Sequence, residues 1–193
     1  MELLEKRIRE EGRVLPGEIL KVDSFLNHQI DVRLMDRLAD EFCRLFSDGP
    51  IDRVLTVEAS GIASATLVAL KLGVPLVFAK KSKTKNLDGS VYSADVYSYT
   101  HGVMNQVVVS KSYLKAGERV LLIDDFLANG QASLGLASLV EQAGGTVAGI
   151  GILVEKSYQE GRALLEAKGY RVESLARVAA MDDFGGIRFV GEN

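Results

Sequence analysis

The segment 120–132, VLLIDDFLANGQA, constrains this chain more than any other part of it. Four apolar residues, Val120 to Ile123, run directly into two adjacent carboxylates, Asp124 and Asp125. A short loop from Phe126 to Gln131 then leads into the helical pattern ASLGLASLVEQAG. A short, bounded apolar run with β-branched residues reads as a strand buried on both faces of a parallel sheet. Acids at its carboxyl end can hold sugar hydroxyls or a hydrated divalent cation. The loop amides and the helix start can hold a phosphate. A phosphorylated sugar needs both.

The rest of the chain repeats the alternation. RVLTVE (53–58) reads as a strand, GIASATLVALKLG (61–73) as a helix closed by Gly73, and PLVFAKK (75–81) as a second strand. VYSADVYSYT and MNQVVVS read as two extended segments joined at His101 and Gly102. TVAGIGILVE (146–155) is a further strand, GRALLEAKGY (161–170) a further helix, and the last residues read as short strands. Upstream, residues 2–11 form a short amphipathic helix, and 18–30 show no clear period. Asp31 caps a longer helix from Val32 to Phe46, whose Leu34, Met35, Leu38, Phe42, Leu45 and Phe46 make one stripe. Strands alternating with helices of this length give βαβ units and a mostly parallel sheet covered on both sides. Ligands of such sheets sit outside the carboxyl ends of the strands. That rule selects Glu58 to Gly61, Lys80 to Lys83, Asp124 to Ala132 and Glu155 to Ser157.

At 193 residues the chain has the length of one α/β domain. Its net charge of −3 creates no global field for nucleic acid or an anionic membrane, so any anion site must be local. Cys43 is the only cysteine, which excludes an intramolecular disulfide and points to a reducing, cytoplasmic compartment. It falls on the apolar face of its helix and reads as a buried structural thiol. No apolar run approaches a membrane span, and the charged N-terminus does not read as a signal peptide.

VLLIDDFLANGQA resembles the phosphoribosyl pyrophosphate (PRPP) motif of the type I phosphoribosyltransferases. Asn129 and Gln131 stand where that family commonly has Thr or paired glycines, and this departure resembles its xanthine-specific branch. LKVDSFLNHQID, EASGIA and ILVEKSYQEGR resemble the same branch, so the likeness spans essentially the whole chain. It implies a Rossmann-like single domain over 1–193. Residues 1–50 would supply N-terminal helices and base recognition, and 82–110 a flexible hood. Asp124 and Asp125 would hold the ribose hydroxyls, directly or through Mg²⁺ and its water shell. Ala128, Asn129, Gly130, Gln131 and Ala132 would cradle the 5′-phosphate.

Read alone, Asp124–Asp125 fits a loop cap as well as a ligand site. Glu58-Ala59-Ser60-Gly61 reads as a helix N-cap, with Ser60 as the capping side chain and Gly61 relieving sterics. The resemblance adds a pyrophosphate loop at Ala59, Ser60 and Gly61. Lys80, Lys81, Lys83 and Lys85 form a run of the kind usually solvated, from which Lys81 is singled out for a phosphate or pyrophosphate contact. Tyr92, Tyr97, Tyr99 and His101 fit either a lid or packing. Phosphate and ribose contacts cannot distinguish purines, so the base needs other groups. Asn27 can donate to and accept from a lactam edge, and a cation such as Lys156 favours a dioxo-purine. The resemblance places Leu20, Asn27 and Lys156 at the base; Phe126 fits either stacking on the purine or packing into the sheet.

The implied reaction joins xanthine and PRPP into xanthosine 5′-monophosphate and pyrophosphate, in purine salvage. Mg²⁺ is expected mainly through PRPP oxygens and water, without a dedicated protein metal site. A homodimer is implied by the resemblance. The rivals are transfer to guanine or hypoxanthine, a PRPP-sensing regulator of nucleic acid, and a non-catalytic binding domain. The chain has neither the spare length nor the positive balance for a basic module.

Overall fold

The computed structural model describes residues 1–81, 90–98, 103–182 and 184–192. The chain starts with α1 (Glu2–Glu11), which buries Leu4 and Ile8 one turn apart. A small antiparallel hairpin follows, β1 (Arg13–Leu15) and β2 (Ile19–Lys21), and then a π-helical segment, Asp23–Asn27. These elements are too short to display a period, which is why 18–30 shows none in the sequence. Asp31 caps α2 (Val32–Leu45) as predicted: its Oδ1 accepts from the Leu34 N–H at 3.0 Å. Leu34, Met35, Leu38, Ala39 and Phe42 are buried, whereas Leu45 and Cys43 are only half-buried. Partial burial still pushes the Cys43 thiol above its usual range.

The chain continues through β3 (Arg53–Val57), α3 (Gly61–Leu72), β4 (Leu76–Ala79), β5 (Val91–Ser98), β6 (Val103–Ser110) and β7 (Arg119–Leu127). It ends with α4 (Gln131–Gln142), β8 (Thr146–Lys156), α5 (Gly161–Ala167), β9 (Val172–Met181) and β10 (Ile187–Phe189). One sheet runs in the order β10-β9-β8-β7-β3-β4, parallel except for β10. A mostly parallel central sheet flanked by helices is what the resemblance implied. Alternation along β7 divides the interior. Leu121 and Ile123 pack with Phe42 and Val68 on one face, while Val120 and Leu122 pack with Leu136, Val140 and Leu165 on the other. Each such side chain contributes about 1.5–3 kcal/mol by leaving water.

β5 and β6 form a separate antiparallel ribbon. Lys80 and Val108 exchange backbone hydrogen bonds of 2.9 Å, tying the ribbon to the end of β4. Gln142 Nε2 donates to the Ser93 carbonyl at 2.9 Å, tying it to α4. Val96 and Val107 enter the same core as Leu136. The predicted hood residues Lys83, Lys85, Tyr99 and His101, within 82–89 and 99–102, lie outside the described residues.

Three sequence expectations need correction. β7 continues to Leu127, so Phe126 lies in the strand and the loop shrinks to Ala128–Gly130. α5 ends at Ala167, short of 170, before Gly169 turns at φ +84°. β9 is ten residues long although the C-terminus reads as short strands. Glu173, Ser174 and Arg177 interrupt its apolar pattern, and two of them, Ser174 and Arg177, face a buried carboxylate described below.

Candidate active site

Sheet order decides the site. The strands β8, β7, β3 and β4 are consecutive neighbours, so the described residues of the four places chosen from the sequence come side by side at the carboxyl ends of these strands. Residues from each of the four, among them Glu58, Lys81, Asp124 and Lys156, line a cavity of about 550 Å³.

At the end of β3 the Glu58–Ala59 peptide bond is cis. Glu58 Oε1 accepts from the Lys81 N–H at 2.7 Å, which joins the ends of β3 and β4. Glu58, Ser60 and Lys81 line the cavity, and Ala59 lines an adjoining recess. Ser60 precedes α3, but its side chain makes no capping hydrogen bond, contrary to expectation. Its backbone is already helical at φ −67° and ψ −31°, whereas a capping serine is typically extended. Gly61 is buried beneath the lining. A Cβ there would collide with Thr56 Oγ1 and stand 2.9 Å from Asp124 Oδ1, so a side chain would push α3 away from β7.

At the end of β7, Asp124 is 6% exposed and Asp125 is half-buried beside it. Asp124 Oδ1 accepts from the Asp125 N–H at 2.9 Å. Burial and the neighbouring Asp125 charge hold Asp124 well above the usual carboxylate range, against a smaller opposing pull from Lys81. Ala128, Asn129 and Gly130 then turn into α4, and with Gln131 and Ala132 they line the same cavity. Gly130 takes φ +81°, a left-handed conformation that other residues adopt only at a cost. The positive end of the α4 dipole therefore adjoins the acids. The loop is braced from behind, because the Gly161 N–H donates to the Ala128 carbonyl at 3.0 Å.

At the end of β8, Lys156 reaches back over the cavity and Nζ donates to the Glu18 carbonyl at 2.7 Å. Burial lowers the Lys156 pKa against the opposing Glu18 charge. This bond pins the β1–β2 turn, whose Gly17, Glu18 and Ile19 line the cavity. Leu20 does not line it. Alternation in β2 turns Leu20 into the core at 7% exposure and leaves Ile19 exposed beside the opening. Asn27 also stands outside the main cavity, in the adjoining recess with Ala59, Ser60 and Lys81.

Glu155 was among the strand-end positions but faces away from the cavity. It is 1% exposed and accepts from Arg162 Nη2 at 2.6 Å, Ser157 Oγ at 2.6 Å, Arg177 Nε at 3.3 Å and Ser174 Oγ. Burial pushes its pKa up, but these donors outweigh burial and bring it to about 2. Sequence reasoning missed Asn105 and Gln159, which also line the cavity with Tyr97 and Phe126. Position in β6 was the only signal for Asn105, and Gln159 carried none beyond its place in the turn after Lys156.

Among the described residues, no cluster of three or more His, Cys, Asp or Glu is placed to hold an ion. Glu58, Asp124 and Asp125 do face the cavity. This donor set suits a divalent cation that arrives with most of its ligands already attached. No helix among the described residues is long and apolar enough to cross a membrane.

The phosphoribosyl transferase domain family matches residues 21–179. The chain is 54% identical to the xanthine phosphoribosyltransferase of Shouchella clausii (strain KSM-K16), covering 100% of this chain and 96% of that one. It is also 54% identical to the xanthine phosphoribosyltransferase of Pseudomonas entomophila (strain L48), covering 97% of each. In fold it is similar to the adenine phosphoribosyltransferase of Rhodothermus marinus DSM 4252, with a TM-score of 0.75 at 23% identity over 91% of this chain and 98% of that one.

Proposed function

The chain belongs to the phosphoribosyltransferase family, and on that premise we propose that it transfers the 5-phosphoribosyl group of PRPP to xanthine. The products are xanthosine 5′-monophosphate and pyrophosphate. The observation that carries this reading is the convergence of two acids, a braced small-residue loop at a helix start, and two lysines on one cavity.

A purine nitrogen attacks the anomeric carbon as pyrophosphate leaves, and positive charge develops on the sugar ring. No protein nucleophile is needed. Asp124 and Asp125 hold the ribose hydroxyls and fix the sugar's orientation. The Ala128–Ala132 segment cradles the 5′-phosphate with loop amides and the α4 dipole. Ala59, Ser60, Gly61 and the Lys81 ammonium receive the pyrophosphate. Asp124 and Asp125 would meet Mg²⁺ arriving with PRPP, and the ion would supply charge neutralisation for the leaving group. Catalysis then comes from alignment and preorganised charge. The ribbon side chains Val96, Tyr97 and Val107 wall the cavity, limiting access of water to the activated sugar.

Lys156, already oriented by Glu18, presents a cation to a xanthine oxygen, and Asn27 reaches the base from the adjoining recess. Leu20 holds the β1–β2 hairpin beside the base from within the core. The protein works in cytoplasmic purine salvage, and family likeness supports a homodimer. Product analysis with PRPP and xanthine, guanine, hypoxanthine or adenine tests the reading. Xanthosine 5′-monophosphate should form fastest; preferred use of adenine would refute the base assignment.

A further inference from the structure

Thr56 is fully buried in β3, at 0% exposure, and its Oγ1 has no hydrogen-bond partner. A buried hydroxyl without a partner is costly, and such groups are uncommon in folded proteins. Valine would fill nearly the same volume without that cost. The position of the hydroxyl gives it a use. Thr56 Oγ1 and Asp124 Oδ1 converge on the same face of Gly61: a Cβ on Gly61 would strike the first and stand 2.9 Å from the second. Asp124 has the complementary deficit. It is an almost fully buried carboxyl that accepts the Asp125 N–H at 2.9 Å, and Lys81 acts on it only through its charge, without a hydrogen bond. A donor without an acceptor and an acid short of donors therefore lie across one glycine.

We infer that Thr56 is a positioning residue for Asp124, donating its hydroxyl to the carboxylate when PRPP seats and the ribose hydroxyls engage the opposite side. This rests on the reading that Asp124 holds the ribose. Gly61 then has a second role beside the pyrophosphate loop, keeping the space between hydroxyl and carboxylate open. The bond from a neutral donor to an ionised acceptor belongs to the stronger class. Its loss should therefore lower kcat/KM for PRPP by about tenfold.

The test compares Thr56→Val, Thr56→Ser and Asp124→Asn by steady-state kinetics with each substrate varied, alongside thermal melting. The expected result is selective. Thr56→Val lowers kcat/KM for PRPP about tenfold, leaves the KM for xanthine at saturating PRPP within about twofold, and melts no lower than the parent. Thr56→Ser, which keeps the hydroxyl, recovers most of the lost activity. Unchanged turnover in Thr56→Val overturns the inference, as does an equal loss for both substrates or a Thr56→Ser protein no better than the valine variant. Asp124→Asn separates the two levels of the argument. If that variant works normally, the ribose assignment itself has failed; if it is inactive while Thr56→Val is normal, only the role of Thr56 has failed.

Discussion

Lys156 Nζ donates a 2.7 Å hydrogen bond to the backbone carbonyl of Glu18, joining the end of β8 to a hairpin 138 residues earlier in the chain. One side chain thus holds the hairpin over the cavity and supplies one of the two lysine cations on it. Because burial lowers the Lys156 pKa below the ordinary 10.5, the ammonium is lost at lower pH than for a solvated lysine. The KM for xanthine should rise as pH climbs toward that point. Lys156→Gln should raise that KM at neutral pH and flatten its alkaline dependence. Initial-rate kinetics across the alkaline range check both.

Buried Glu155 pairs with the partly exposed Arg162, and its carboxylate stays ionised down to a pKa of about 2, from an ordinary 4.5. A lowered folded-state pKa means that the stabilisation is complete above the unfolded value and is lost as pH falls from there through the folded value. Glu155→Gln should cost about 3 kcal/mol at neutral pH, because it removes the buried charge that Arg162 and Arg177 face and leaves Arg162 only the exposed Glu166. The gap between the two proteins should narrow below about pH 4. Chemical denaturation at a series of pH values measures it.

Asp124 has the opposite sign. Its raised pKa means that the folded state disfavours the ionised acid, so ionisation costs stability as pH rises above the unfolded value. Asp124→Asn should therefore melt no lower than the parent at neutral pH, while its turnover falls by about a hundredfold or more as the ribose contact is lost. Asp125→Asn should also stay folded with greatly reduced turnover. Melting curves paired with product assays distinguish lost chemistry from lost structure.

Gly161 braces the phosphate loop by contact. A Cβ there would collide with the Ala128 carbonyl and stand 2.9 Å from Gly130 N. Gly161→Ala should displace the loop, raise the KM for PRPP about tenfold or more, and destabilise the protein by about 1–3 kcal/mol. Titration with PRPP, followed by calorimetry, checks the binding loss against the melting temperature.

Local pattern determined the elements and much of the chemistry. The apolar run before Asp124, the cap at Asp31 and the left-handed turn at Gly73 are written in neighbouring residues, and each forms at the expected place. The acids and the loop after them were legible for the same reason. Tertiary structure decided the rest. Only sheet order brings Glu58, Lys81, Asp125 and Lys156 around one cavity, because side-by-side strands come from distant parts of the chain. Only the phase of a three-residue strand turns Leu20 inward and Ile19 outward, and so short a strand carries no readable period. The closeness of Thr56 to Asp124 comes from the parallel pairing of β3 with β7, with Gly61 of α3 packed against both. VLLIDDFLANGQA names a chemistry on its own, but the packing of β3, β4 and β8 beside it makes a site.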